Sequence, residues 1–257
     1  MKIYKFKDLS EEKKHSHFYQ IVLGGKIWCA RPDSFNDENE FKIKLDFNPS
    51  SITAELLARV VAKYRTTNFF PPNLSASYVV ANRELEKIAT PIINEMIQKC
   101  RDEIGVVSFS ITKSDDHLWD KYGGAGNGAC IEINIPDEKI GKSYHHVHYV
   151  SEKIFHVDSF LESALYKEIE FENFRNILLT KTKKWCQERE MRFIGNRQNV
   201  NLIMDGYISE ITFGAKIPPH TLEQLEATII NHCRSSNIKI IKMANTTLHR
   251  TPNCRRL

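Results

Sequence analysis

A chain of 257 residues, 41% hydrophobic and 26% charged, is long enough to bury a sizeable core and too apolar to be disordered throughout. Its longest apolar runs are strand-sized, such as Ile104 to Phe109, so none reaches the roughly 20 residues a membrane helix needs, and no membrane partner is expected. A net charge of +4 tolerates a nucleic-acid or nucleotide partner without requiring one.

Residues 2–7 alternate like a strand, and this opening has no apolar segment followed by small residues that would mark a secretion signal. A helix follows, with Ser10 as its cap and Gly24-Gly25 at its close. Residues 26–30 form a second strand, and Arg31 to Glu40 a polar, turn-rich loop. Leu56, Leu57, Val60, Val61 and Tyr64 have helical spacing across 53–64. After a Pro71-Pro72 loop, two more helices are expected between Ser75 and Arg101, divided at Thr90-Pro91 because proline suits a first turn. Residues 105–110 form a strand. A short helix then starts at Ser114, with Asp115 and Asp116 in its first turn, and carries Trp119 and Tyr122. Further strands are expected at 129–135, 145–150, 188–194, 208–213 and 238–243, with helices over 158–180 and 222–233. The pattern is α+β, read as a single domain over 1–257 with a helical insertion at about 51–103.

The six cysteines are scattered, with no C-x-x-C pair, and Cys29 and Cys130 sit in strand-like runs as small buried hydrophobes. No structural disulfide and a reducing, cytoplasmic setting are expected.

Trp185 to Phe193 is the most informative stretch. On a strand, Glu188, Glu190 and Arg192 share one face while Met191 and Phe193 face the core. Two carboxylates about 7 Å apart on one face can divide labour. One stabilises positive charge on a sugar ring, and the other aligns or deprotonates an acceptor. A solvated charge ladder is the alternative. The glycine-rich run Gly123 to Gly128 follows a helix and opens a strand, the reverse of a dinucleotide fingerprint, and reads as a connection. His145, His146 and His148 lack further ligands at fixed spacing, so no metal is expected. The Pro32-Asp33…Glu40-Phe41-Lys42 spacing is too short for a metal-dependent nuclease. There is no G-x-S-x-G elbow or Cys–His arrangement. The basic run Lys181, Lys183 and Lys184 precedes the carboxylates. It fits a phosphate backbone, with Trp185 offering a stacking face for an unpaired base.

Several stretches together resemble an uncharacterised bacterial domain family associated with phage defence and toxin–antitoxin genes. They are Ile3 to Phe6; Trp28-x-x-x-Pro32-x-x-Phe35-Asn36-Asp37; Val107 to Ser110 with Leu118 to Gly123; Lys184-Trp185 with Glu188 to Arg192; and Ile208 to Lys216. The order of first-strand polar residue, Ser-x-Ser and late Glu-x-Glu is more distantly similar to ADP-ribosyltransferases. That resemblance implies a split mixed β-sheet with peripheral helices and NAD as the co-substrate. It implies Tyr4 or Lys5 at the NAD ribose, Ser108 or Ser110 with Tyr122 at the nicotinamide half, Glu190 as the catalytic carboxylate and Glu188 near the acceptor. Lys181, Lys183, Lys184 and Arg192 would hold the acceptor, RNA or single-stranded DNA, and an antitoxin protein is an expected partner. Neither the histidine nor the arginine usual on the first strand of those enzymes is present. A non-enzymatic binding or sensor module of a defence operon, or another nucleic-acid-directed enzyme, are the alternatives.

Overall fold

The computed structural model describes residues 1–35, 40, 42–64, 74–232 and 238–243; the side chains of 167–171 are not described. In chain order the first elements are β1 (Lys2–Asp8), α1 (His15–Val22), β2 (Lys26–Cys29), β3 (Lys44–Asp46), α2 (Thr53–Tyr64), α3 (Ala76–Ala81) and α4 (Leu85–Glu103). Next come β4 (Gly105–Ser110), α5 (Asp116–Lys121), β5 (Gly128–Asn134), β6 (Tyr144–His146), β7 (His148–Val150) and β8 (Ile154–His156). The chain continues through α6 (Val157–Leu165), α7 (Lys167–Leu178), β9 (Thr180–Thr182), β10 (Glu190–Gly195), β11 (Val200–Ile203), β12 (Tyr207–Phe213), α8 (Pro219–His232) and β13 (Lys239–Lys242). This is an α+β chain that divides into two compact units. One comprises residues 1–31, 105–147 and 183–257, and the other 32–104 and 148–182.

The first unit is built on a mixed seven-stranded sheet in the order β13-β12-β5-β1-β4-β10-β6. The alternation of its strands decides its two faces. Ile3, Val107, Phe109, Ile131, Ile133, Met191, Ile211 and Phe213 form one face, packed against Phe18, Ile21 and Val22 of α1 and Leu225 and Ile229 of α8. On the other face a smaller cluster joins Phe6 and Cys130 to Leu118 and Trp119 of α5, with Phe6 and Trp119 edge to face at 5.3 Å. A two-stranded ribbon, β2 with β11, accompanies the sheet. The glycine-rich turn has a local cause. Gly124 and Gly126 adopt positive φ, and a Cβ on Gly128 would stand 2.2 Å from the Lys7 carbonyl oxygen.

Among the described residues the second unit combines the α-helices α2, α3, α4, α6 and α7 with two short parallel pairs, β3–β8 and β7–β9. Asp158 ties two helix starts together, accepting hydrogen bonds from Ser50 and from Thr53 Oγ1 while its own N–H reaches His156 Nδ1.

Several boundaries differ from the sequence expectation. Ser10 makes no cap: a 3-10 turn over Glu12–Lys14 precedes α1 and is entered from Glu11. Gly25 does close α1, at a φ of +60°. The break between α3 and α4 falls at Asn82–Glu84, and Pro91 lies inside the 19-residue α4 on its exposed side. Asp115, one residue later than expected, caps α5 by accepting from the His117 N–H. The strand at 145–150 is two strands separated at Val147, and the 158–180 helix is two helices meeting at Tyr166. Pro71, Pro72, Asn36 and Asp37 lie outside the described residues. Among the described residues no helix is long and apolar enough to cross a membrane. Cys29, Cys100 and Cys130 are buried and not in disulfides, whereas Cys186 is disulfide-bonded, which departs from the expectation of no disulfide.

Candidate functional site

A polar row crosses one face of the sheet in the first unit. Glu190 of β10 stands opposite Ser110 of β4, which stands opposite Tyr4 of β1, then Glu132 of β5 and Glu210 of β12. Ser110, Glu132, Glu190, Glu210 and Thr212 are all buried. Burying so many polar groups on one sheet face costs stability unless each is matched by a partner, and here they are matched.

At the right-hand end of the row, Arg192 grips Glu190 in a two-point ion pair, Nε to Oε1 at 2.7 Å and Nη2 to Oε2 at 3.0 Å. Both are buried, Arg192 to 1% exposure. At the left-hand end Glu132 binds Lys2 at 2.7 Å and the Ser209 hydroxyl at 2.8 Å. Glu210 binds Lys113, the Thr212 hydroxyl at 3.1 Å and Lys239 at 3.4 Å. Burial opposes ionisation of both carboxyls, yet hydrogen bonds from Lys2 and Ser209, and from Lys113 and Thr212, hold them below the usual carboxylate range. Tyr4, pressed by burial and by the neighbouring Glu132 charge, is pushed up to about 12.

In the middle of the sheet β1 and β4 separate. They pair at Tyr4–Ser110, but further along the same edge of β4 it is Ala30 that bridges to Val106, with hydrogen bonds of 3.0 and 2.9 Å. The Ser108 carbonyl between these two contacts accepts a 2.7 Å hydrogen bond from Lys5 Nζ. That amine also lies 5.7 Å from the Phe109 ring centroid. Burial, reinforced by the charge of Lys7 and only partly offset by Glu190, lowers Lys5 to about 7.

Glu188 reaches this region by a route the alternation did not foresee. It ends a 3-10 turn over Lys183–Glu188, and Arg189, at a φ of 43°, reverses the chain before β10 begins. Glu188 and Glu190 are therefore not two steps along one strand. The Ser110 hydroxyl donates to the Glu188 carbonyl at 2.8 Å, which fixes the turn against β4. The buried Glu188 carboxylate accepts from the Tyr122 hydroxyl at 2.8 Å and from Lys121 Nζ at 3.3 Å. His117 Nε2 lies 3.9 Å from the same oxygen.

Of the residues expected at a site, Tyr4, Lys5, Ser108, Ser110, Tyr122, Glu188, Glu190 and Arg192 are thus gathered in one unit. Arg192 is spent on Glu190 and is too deeply buried to hold an acceptor. Lys183 and Lys184 are exposed on the turn. Lys181 is not a surface cation: it belongs to the second unit, buried on β9, with Glu40 at 3.9 Å. Trp185 carries Lys121 over its ring at 3.6 Å and Lys184 at 5.0 Å, so the stacking face expected there is occupied by the chain's own cations. Lys121, His117, Lys113, Glu132 and Glu210 escaped the sequence reading. The signal available for Glu132 and Glu210 is a lone carboxylate inside an apolar strand, in Cys-Ile-Glu-Ile and Ser-Glu-Ile-Thr.

Among the described residues no group of histidine, cysteine, aspartate and glutamate side chains is arranged to hold a metal ion. No protein-family model matches the chain, and neither a curated protein nor a solved structure is significantly similar to it.

Proposed function

We propose that the first unit transfers ADP-ribose from NAD to a nucleic acid, RNA or single-stranded DNA, as a toxin-like enzyme of bacterial toxin–antitoxin or phage defence. One observation carries this reading. Residues from β1, β4, α5 and the turn before β10 bring a carboxylate, a tyrosine hydroxyl and the Ser110 hydroxyl together where β1 parts from β4. That parting also supports the likeness to the split sheet of ADP-ribosyltransferases.

The chemistry asks for a carboxylate beside a developing sugar cation. As the bond from the ribose to nicotinamide breaks, its electron pair leaves with nicotinamide, and the sugar carbon takes positive charge. An acceptor oxygen or nitrogen then bonds to that carbon and gives up its proton. Glu188 suits the stabilising role better than Glu190. Its cationic partner, Lys121, has a side chain that is 27% exposed, whereas Arg192 is 1% exposed and paired at two points with Glu190. Glu190 then serves to hold Arg192 and the strand, and Tyr122 orients the Glu188 carboxylate. Lys183 and Lys184 hold the phosphate backbone.

Incubation with labelled NAD and separate protein, DNA and RNA pools tests the reading. Label should appear on RNA or single-stranded DNA. Label on protein alone would make this a protein-directed transferase, and no label with any pool would end the reading. The sealed Glu190–Arg192 pair favours a second reading, a binding module without chemistry. NAD binding with no transfer to any pool, or no NAD binding at all, would point there.

A further inference from the structure

The ammonium of Lys121 occupies an unusual seat in the first unit. It lies 3.6 Å from the centroid of the Trp185 ring, 5.1 Å from that of Tyr122 and 3.3 Å from Glu188 Oε1. The carboxylate side chain is 4% exposed and the lysine side chain 27%. A partly exposed lysine gains little from a single carboxylate and loses rotamer freedom when it is held. Two aromatic rings and a buried carboxylate around the Lys121 ammonium, with Lys184 farther off at 5.0 Å from the Trp185 centroid, by contrast make a cage suited to organic cations. His117 Nε2 is shielded from solvent, has no hydrogen-bond partner and faces the same carboxylate oxygen at 3.9 Å.

We propose that Trp185, Tyr122 and Glu188 form a subsite for a small organic cation, an alkylammonium or N-alkylpyridinium group, and that Lys121 is a built-in occupant which such a ligand displaces. Binding is an exchange of one cation for another, with no bond made or broken. The Lys121 ammonium moves into water and recovers its rotamer freedom. The incoming cation keeps the charge opposite Glu188, and a flat ring covers more of Trp185 than a single ammonium does. The subsite shares Glu188 and Tyr122 with the proposed transfer site, but cation binding needs neither NAD nor an acceptor, so the two readings are tested separately.

Ligand-observed NMR titration with 1-methylpyridinium and, separately, with n-butylammonium tests it. Lys121→Met removes the built-in charge and keeps the apolar stem, on a side chain exposed enough for the fold to tolerate the change. The variant should bind at least one of the two cations about tenfold more tightly than the wild-type chain, a scale set by a partly desolvated cation–π contact. The cation with the larger gain identifies a ring or a chain ligand. Adding Glu188→Gln to Lys121→Met should remove most of the gain, and neutral toluene should show none. The wild-type chain provides a second measurement that needs no variant. Saturating cation should speed acylation of Lys121 severalfold, read by peptide mass spectrometry, with exposed Lys183 unchanged. Equal affinity in wild type and Lys121→Met, or a Lys121 acylation rate indifferent to both cations, overturns the proposal. Absence of ADP-ribose transfer would leave a positive binding result intact.

Discussion

Arg192 and Glu190 have almost no contact with water, and each satisfies the other at two points, so removing one strands a buried charge. Glu190→Gln should therefore act mainly on stability, with a loss on the order of 3 kcal/mol in a denaturant melt. Glu188→Gln should cost less stability than Glu190→Gln, because its cationic partner Lys121 is 27% exposed, and lower transfer about 100-fold or more, the scale of losing a preorganised charge. If both variants lost activity without losing stability, the division of roles between the two glutamates would be wrong. Lys5 makes a separate prediction, through pH. Its folded value of about 7 lies below its unfolded value, so between pH 7 and about 10.5 the unfolded chain binds the extra proton. The cost of burying its charge is fully present below pH 7 and is relieved as pH rises. Wild-type stability should thus gain on that of Lys5→Met as melts move from pH 7 to pH 9; a constant difference would mean that Lys5 is not shifted in this way.

Proline within α4 makes a prediction about an element. Pro91 has no N–H to give the carbonyl four residues earlier, yet α4 runs through it from Leu85 to Glu103. Because Pro91 is exposed, Pro91→Ala should restore that hydrogen bond without disturbing the core and stabilise the chain by about 1–3 kcal/mol. A lower melting temperature would show that the proline's rigidity outweighs the missing bond. This proline also shows where the sequence misleads. Proline opens helices more often than it sits within them, so Thr90-Pro91 reads as a boundary, while the true break at Asn82–Glu84 carries no proline or glycine. The long strands of the sheet were legible because each carries a run of apolar residues long enough to register, with Ile3, Ile131, Met191 and Ile211 facing the core. Strands of three or four residues, such as β3, β8 and β11, are too short for a period to register. Glu188 was misplaced for a related reason. Glu-Arg-Glu-Met-Arg alternates on paper, but the left-handed Arg189 breaks the strand with no glycine to announce it. The candidate site was still largely visible, because serine, tyrosine and glutamate near apolar strands are conspicuous. Its cations were not, since Lys121 and Lys113 look like ordinary surface lysines until their partners are known.

At the scale of the whole chain, its path and its charge matter most. The chain leaves the first unit after Arg31 and again after Val147, and it returns at Gly105 and Lys183. Those crossings account for two features that the sequence obscures. What reads as one strand at 145–150 is interrupted at Val147, and what reads as one basic run at 181–184 is divided between the units, with Lys181 buried in one and Lys183 and Lys184 exposed in the other. The net charge is only +4, and among the described residues several lysines, among them Lys2, Lys14, Lys113 and Lys239, already face carboxylates. If the proposed acceptor is nucleic acid, its binding would lean on a few cations, with the exposed Lys183 and Lys184 foremost. A single strand releases about 0.7 counterions per phosphate neutralised, so Lys183→Ala with Lys184→Ala should flatten the plot of log affinity against log salt by about 1.4. Lys181→Ala should leave that slope unchanged, because its buried ammonium lies beside Glu40 and meets no phosphate. The measurement is a salt titration of single-stranded RNA binding by fluorescence anisotropy, compared among the wild type, the double variant and Lys181→Ala. A double variant with the wild-type slope would remove the two lysines from the acceptor's path. A slope reduced by Lys181→Ala alone would mean that the ion pair with Glu40 opens in solution.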